Sequence, residues 1–272
     1  MKPIRMISLD MDDTLLRSDL TISSRTRNAI KRTEAAGVIM VLASGRIPEA
    51  MEHFSHQLGL DKRFGYLISY NGSLVQESHS GHVVHESRLD EEMALTVCDL
   101  ADSEGFPLLM YQDDIMYVSR QNEYSGYDQK LTGLRQVVVE NFRAMVADGC
   151  YKLIIPGDPK VLGSWEEIVR NVLEDNVTVF TSRPYFLEIM PKHTDKGTAL
   201  AKVAEISGVT AEEVLAIGDS MNDEAMIRWA GVGVVMANGD ERIKSIADFV
   251  SEYTNDDDGV ADIIEKFIFG KG

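Results

Sequence analysis

Between residues 4 and 69 the sequence alternates short apolar runs with longer amphipathic ones, joined by links of a few residues. Residues 4–9 (Ile-Arg-Met-Ile-Ser-Leu) have the composition of a buried strand that ends at an acidic turn. Residues 24–36 suit a helix, with Ser23 or Ser24 as its cap and Gly37 just past its end. Val38 to Ala43 is a second strand, Pro48 opens the next helix, Gly59 follows it, and Tyr66 to Ser69 is a third strand before the Asn71-Gly72 turn. Strand–helix–strand with short links requires parallel pairing and right-handed crossovers, so the chain is constrained to a layered α/β fold.

The alternation then changes character. Residues 73–86 read as a hairpin, 90–104 as an amphipathic helix and 106–118 as a pair of short strands. Residues 158–175 suit another helix, with strands following near 177–181 and 186–190, while 120–150 carry too little periodicity to be placed. From about residue 191 the parallel pattern resumes. A helix opens at Lys196-Gly197, Thr210 to Glu213 has capping-box spacing, and Val214 to Ile217 is a strand ending at Gly218-Asp219. A helix over about 222–230, a strand at Val232 to Val235 and a closing helix from Gly259 to Phe267 complete the pattern. The expected architecture is a doubly wound, Rossmann-like parallel sheet in two parts, 1–84 and 191–272, interrupted by an inserted antiparallel α+β domain at 85–190.

Charge narrows the function. The 272 residues hold 27 Lys and Arg against 44 Asp and Glu, a formal net charge of -17. So acidic a surface repels nucleic-acid backbones and anionic membranes, and neither is an expected partner. A bound divalent cation can still invert the sign inside one pocket, so a small anionic substrate stays open. Cys98 and Cys150 are too few for a disulfide framework, which fits two reduced thiols. The apolar stretch after Lys2 and Arg5 meets Asp10 too soon for a signal-peptide core, and no run reaches membrane-spanning length. The expected location is the cytoplasm. Oligomeric state is not legible.

Ligands of an open parallel sheet bind beyond the carboxyl ends of its strands. Four clusters fall at such ends or at the helix starts beside them: Asp10-Met11-Asp12-Asp13-Thr14, Ser44-Gly45-Arg46, Lys196, and Gly218-Asp219-Ser220-Met221-Asn222-Asp223. Converging carboxylates (Asp10, Asp12, Asp219) call for a cation, and hard oxygen ligands without His or Cys point to Mg2+. A phosphate suits the remainder, since Ser44 and backbone N–H groups donate, Lys196 is cationic and Asn222 positions. A carboxylate attacking phosphorus gives an aspartyl-phosphate, and a second carboxylate two residues on can protonate the leaving oxygen and then deprotonate water.

In this order the clusters resemble the four motifs of the haloacid dehalogenase superfamily. Over nearly its full length the chain is similar to the Cof-type sugar-phosphatase branch, which inserts a type-2 cap between motifs two and three. Pro184-Tyr185-Phe186-Leu187-Glu188-Ile189 before motif three and the closing Asp258-Gly259-Val260-Ala261 belong to the same resemblance. It implies that Asp10 is nucleophile and magnesium ligand, and that Asp12 is the acid/base whose backbone carbonyl also binds the metal. Asp219 is then the remaining protein ligand. Met11 backbone, Ser44, Gly45, Lys196 and Asn222 contact phosphate, and Asp223 stands behind the ligands. One residue departs from the pattern, because Asp13 occupies a position that is usually Gly.

Other features have plainer readings. His79, His82 and His85 lie in a solvated hairpin, Gly231-Val232-Gly233 lacks the context of a dinucleotide site, and Asp256-Asp257-Asp258 suits the cap of the last helix. Arg183 and Glu188 are candidates either for leaving-group contacts or for ordinary linker polarity. Two further function classes share parts of the constellation. A phospho-acceptor signalling module would leave the Asp219 cluster unexplained and would need 152 positions (196 minus 44) between hydroxyl and Lys. A phosphomutase would return the phosphoryl group to its substrate.

Overall fold

Strand β1 (Met6–Asp10) is buried at every position and carries the chain straight into a turn at Met11–Leu15. Helix α1 (Ser24–Ala35) starts where the Ser23 hydroxyl accepts the Thr26 N–H at 3.0 Å, satisfying one of the orphan donors of the first turn. Strand β2 (Ile39–Ala43) leads to α2 (Pro48–Leu58), which has Pro48 in its first turn and ends on Gly59 at φ 82. Strands β3 (Gly65–Ser69), β4 (Leu74–Glu77) and β5 (Val83–Glu86) follow. The computed structural model describes residues 2–270, apart from the side chains of residues 128, 131, 132 and 175.

The chain divides into two units, Met1–Glu86 with Asp195–Gly272, and Ser87–Thr194. In the second unit, α3 (Glu91–Glu104) precedes β6 (Leu109–Gln112) and β7 (Ile115–Val118). The stretch that resisted sequence reading holds α4 (Ser125–Thr132), β8 (Arg135–Val138) and α5 (Phe142–Val146). Then come β9 (Leu153–Pro156), α6 (Pro159–Leu173), β10 (Val177–Arg183) and β11 (Phe186–Pro191). These strands form one sheet in the order β10-β11-β9-β6-β7-β8. The expected antiparallel module is corrected at one edge, where β7 and β8 run parallel. Helix α4 lies between them in sequence and supplies the crossover that a parallel pair needs. One face of this sheet shares an apolar cluster with the helices, including Val97, Phe106, Leu153, Val169, Leu187 and Ile189.

The first unit resumes with α7 (Lys196–Ser207), β12 (Val214–Gly218), α8 (Glu224–Trp229), β13 (Val232–Val235), α9 (Glu241–Lys244), β14 (Phe249–Val250) and α10 (Gly259–Phe267). Its sheet has the order β14-β13-β12-β1-β2-β3-β4-β5. The hairpin read at 73–86 extends this sheet with two antiparallel strands, and all other neighbours are parallel. Apolar clusters cover both faces, one containing Ile7, Leu9, Leu42 and Ile264, the other Met6, Val41, Leu200 and Val203. Successive strand residues point to opposite faces, so a strand apolar at every position suits a sheet covered on both sides. From β1 the chain builds outward through β2 on one side and later through β12 on the other. The carboxyl end of β1 is therefore the switch point where this topology opens a crevice. Among the described residues no helix is long and apolar enough to cross a membrane.

The acidic run before α10 behaves differently from expectation. Asp258 stands at the N-cap with φ 64 and makes no side-chain capping bond. Its neighbours are used elsewhere, Asp256 accepting from the Ser18 N–H and hydroxyl and Asp257 accepting from the Thr254 hydroxyl at 2.7 Å.

Candidate active site

Register places the clusters side by side. Asp10 pairs with Ala43 across β1 and β2, and Leu9 pairs with Ile217 across β1 and β12. Asp10, Ser44 and Asp219 thus leave three adjacent parallel strands at the same edge. Lys196 reaches them from the start of α7, where the Asp195 carboxylate accepts the Thr198 N–H at 2.7 Å and completes a capping box. A Cβ on Gly197 would lie 2.5 Å from the Ala225 carbonyl carbon, so only glycine lets α7 approach α8 this closely. That approach brings the fully buried Lys196 ammonium to both Asp10 (Oδ1, 2.5 Å) and Asp223 (Oδ1, 2.6 Å).

Asp223 uses both oxygens. While Oδ1 accepts from Lys196, Oδ2 accepts the N–H groups of Asp219 at 2.9 Å and Ser220 at 3.1 Å. It shapes the turn that presents Asp219, and a Cβ on Gly218 would strike its carboxyl at 2.5 Å. Asp219 also accepts the buried Thr14 hydroxyl at 2.9 Å. Oxygens of Asp10, Asp219 and Asp223 lie within 4.8 Å of one another.

Three acids facing one ammonium, Asp10 and Asp223 buried and Asp219 half-buried, leave an excess of negative charge, and the carboxyls respond. Burial, reinforced by Asp223, pushes Asp10 well above the ordinary carboxylate range against the pull of Lys196. Burial and then Asp223 push Asp219 up to about 7, with Thr14 opposing. Burial by itself would lower the Lys196 pKa, but Asp10 and Asp223 outweigh it and raise the value, so the ammonium stays charged. A divalent cation suits this donor set, since the acids offer hard oxygens and lack compensating charge. Asp12 contributes no carboxylate to the group of three; its side chain is turned to Arg46, whose Nε meets Oδ2 at 2.9 Å and Nη2 meets Oδ1 at 2.6 Å.

The remaining residues surround this cluster. Ser44 is buried and its Oγ accepts the Arg46 N–H at 3.1 Å, which leaves the hydroxyl proton for a ligand to accept. Met11 is buried, its carbonyl accepting from the Leu16 N–H at 2.8 Å. Asn222 receives the Ser220 hydroxyl on Oδ1 at 2.6 Å and donates Nδ2 to Asn71 Oδ1 at 3.0 Å. Asp13 is exposed at φ 59, in the left-handed region where glycine is usual, and Asn238 Nδ2 binds its carbonyl at 2.7 Å. Asn238 is itself held by the Asn255 N–H on Oδ1 at 3.0 Å. Glu188 is buried in the second unit, paired with Lys152 at 3.2 Å, and Arg183 is exposed.

Sequence reading singled out neither Asn71, beyond its turn-forming role, nor Asn238. Arg46 and Thr14 fell inside two of the clusters without a role. Their partners lie far away in sequence, and only the register of β1, β2 and β12 brings them together.

The family model for haloacid dehalogenase-like hydrolases matches residues 7–264, a span that takes in all four clusters. The chain belongs to this family. The hydrolases it resembles include a solved haloacid dehalogenase-like hydrolase from Bacteroides thetaiotaomicron, 33% identical, with a TM-score of 0.89 over 97% of this chain and 99% of that one. The 5-amino-6-(5-phospho-D-ribitylamino)uracil phosphatase YcsE of Bacillus subtilis is 29% identical over 97% of this chain and 96% of its own length. The HMP-PP phosphatase of an Enterobacter species is 28% identical over 86% of this chain and 84% of its own. The chain is an enzyme of this hydrolase family, a phosphatase. Haloacid dehalogenase-like hydrolases generally use a divalent metal, and the Asp10, Asp219 and Asp223 group is a fitting place for one. Membership of a hydrolase family removes the case for a phospho-acceptor module, to which the Asp219 cluster was already foreign.

Proposed function

We propose that this phosphatase hydrolyses small phosphorylated metabolites of the sugar-phosphate type, with Mg2+, through a phosphoryl group carried on Asp10. The observation that carries the reading is the position of Asp10: buried at the end of the middle strand, in contact with Lys196, and grouped with two further carboxylates. Asp10 and Asp219, with the Asp12 carbonyl, are the residues we assign to the metal. Asp223, whose oxygens are taken by Lys196 and two N–H groups, braces them. Bound magnesium supplies charge that lets an anionic phosphate approach an anionic carboxylate.

In the first step an oxygen of Asp10 bonds to phosphorus as the ester P–O bond breaks, and Asp12 gives its proton to the departing oxygen. Ser44, the backbone at Met11 and Gly45, Lys196 and Asn222 hold the phosphoryl oxygens as negative charge spreads over them. In the second step Asp12 takes a proton from water, the water oxygen bonds to phosphorus, and the Asp10–phosphorus bond breaks to release inorganic phosphate. The Arg46 guanidinium keeps Asp12 oriented, since one carboxyl oxygen can still accept from it when the other carries the proton.

The substrate class rests on relatives that act on different phosphorylated small molecules, one a ribitylaminouracil phosphate and another HMP-PP. Two free, buried thiols, Cys98 and Cys150, agree with a reducing compartment and support the cytoplasm as its location. The test is a panel of phosphorylated sugars and cofactors assayed with Mg2+, with Asp10→Asn as control. Phosphate release is expected from at least one member and only from the Asp10 enzyme. Turnover retained by Asp10→Asn would refute the nucleophile, and an isomerised product without free phosphate would make the enzyme a mutase.

A further inference from the structure

The turn after β3 is built from three consecutive residues in the left-handed region: Tyr70 at φ 50, Asn71 at φ 53 and Gly72 at φ 111. Two non-glycine residues in that region side by side are uncommon, and such geometry persists only where the surroundings enforce it. The contacts show what enforces it. The Tyr70 N–H donates to the Arg46 carbonyl at 2.9 Å and the Asn71 N–H donates to the Ser44 carbonyl at 2.9 Å. A Cβ on Gly72 would fall 2.3 Å from the Asp195 carbonyl oxygen, so the turn lies directly against the residue before Lys196. The buried Asn71 amide reaches in a third direction, its Oδ1 accepting from Asn222 Nδ2. It also lies over Gly45, where a Cβ would meet Oδ1 at 3.0 Å and Nδ2 at 3.1 Å.

One short turn thus touches the Ser44–Gly45 segment, the start of the Lys196 helix and Asn222, three clusters that are otherwise far apart in sequence. We propose that Asn71 is a positioning residue for the phosphate subsite: its side-chain amide ties Asn222 to the Ser44–Gly45 turn, so that the two sides of the subsite hold one fixed spacing. The inference rests on the reading of Ser44, Gly45 and Asn222 as phosphate contacts. It explains why residue 45 is glycine without appeal to backbone angles, because the space a side chain would take is filled by the Asn71 amide. It also gives Asn222 a defined rotamer, gripped by Ser220 on its oxygen and by Asn71 on its nitrogen. A side chain locked from both ends loses little freedom when a ligand arrives.

The experiment is a double-mutant cycle on the full chain with Mg2+. Asn71→Gly removes the amide while leaving a residue at ease at φ 53, and Asn71→Asp keeps the shape and the acceptor for Asn222. Readouts are KM and kcat with p-nitrophenyl phosphate, the affinity for inorganic phosphate by calorimetry, and the melting temperature. Asn71→Gly is expected to raise KM and weaken phosphate binding about tenfold, and to change both less than about twofold in the Asn222→Ala background. Asn71→Asp is expected to restore the coupling to Asn222. Additive effects in the cycle, or a lowered melting temperature with KM and phosphate affinity intact, overturn the proposal. A wild-type enzyme that binds phosphate but turns over no ester refutes the functional reading alone, and the phosphate cycle still decides the role of Asn71. Failure of the wild type to bind phosphate overturns both.

Discussion

Arg46, just past the end of β2, donates to both oxygens of Asp12, just past the end of the neighbouring β1, at 2.9 and 2.6 Å. The hydrogen bonds to Asp12 raise the Arg46 pKa above its ordinary value against the opposing effect of burial, so this side of the site carries a permanent positive charge. A two-point pair fixes orientation as well as charge, which a lysine does not reproduce. An acid/base group aimed by Arg46 should matter most when the leaving oxygen needs a proton. Arg46→Lys and Arg46→Gln should lower kcat for alkyl phosphates by about a hundredfold, the lower end of one acid–base contribution. The same variants should affect p-nitrophenyl phosphate far less, because its leaving group departs as a stable anion. Equal losses on both substrate types would show that Arg46 does not act through Asp12.

Lys196 is the only described cation in contact with Asp10 and Asp223, and all three are buried. Lys196→Met removes one partner of a buried network and leaves two carboxylates to repel each other. Such a break costs about 3–5 kcal/mol. Denaturant unfolding of the metal-free variant should show this loss, and lowering the pH should recover part of it by neutralising the acids. A stability equal to wild type at pH 8 would count against the network.

The raised pKa of Asp219 gives the metal-free protein a defined pH response. Its folded value of about 7 exceeds the ordinary 3.8, so the native state holds the proton more tightly than the unfolded chain. Its contribution to stability is fully present below the unfolded value and is lost as pH rises through about 7. A cation binds the deprotonated form, so Mg2+ should raise the melting temperature more at pH 8 than at pH 5.5. Asp219→Asn should flatten this difference. An equal Mg2+ effect at both pH values would contradict it.

Asp13 holds a left-handed backbone that glycine adopts freely, and its charge adds to the upward push on Asp219. Asp13→Gly should stabilise the protein by about 1 kcal/mol, the relief expected for a residue in that region. The Asn238 bond to the carbonyl survives the change, because it is made to the backbone. Thermal denaturation checks the gain, and phosphatase activity should be kept or increased. A loss of stability would mean that the Asp13 side chain makes a favourable contribution larger than its backbone cost.

Local chemistry made the parallel half of the fold legible. The Ser23 cap, Pro48 in a first turn and the left-handed Gly59 each mark a helix end using only nearby residues. The same holds for Lys196–Ser207, Val232–Val235 and Gly259–Phe267, whose bounds agree with the pattern read from sequence. Residues 120–150 resisted because their elements are short: β8 is a four-residue edge strand without a buried position, and α5 has five residues, little more than one turn. Neither gives periodicity room to develop. In the site, residue types at strand ends revealed the four clusters. They could not reveal Asn71, whose partner Asn222 lies 151 positions away, nor that Arg46 turns to Asp12. Contacts of that kind depend on strand register, which no local pattern encodes.

The bare Cα of Gly218 and the fully employed carboxyl of Asp223 also bear on redesign. Asparagine at 223 has one oxygen, so it cannot accept both from Lys196 and from the two N–H groups, and it would turn an N–H toward one of those donors. Glutamate is one carbon too long for a space so tight that position 218 lacks room for a methyl. The two positions therefore form one structural unit, a six-residue segment whose first and last residues cannot be exchanged independently. A library randomising this loop should fix both and spend its diversity at Met221, which is exposed.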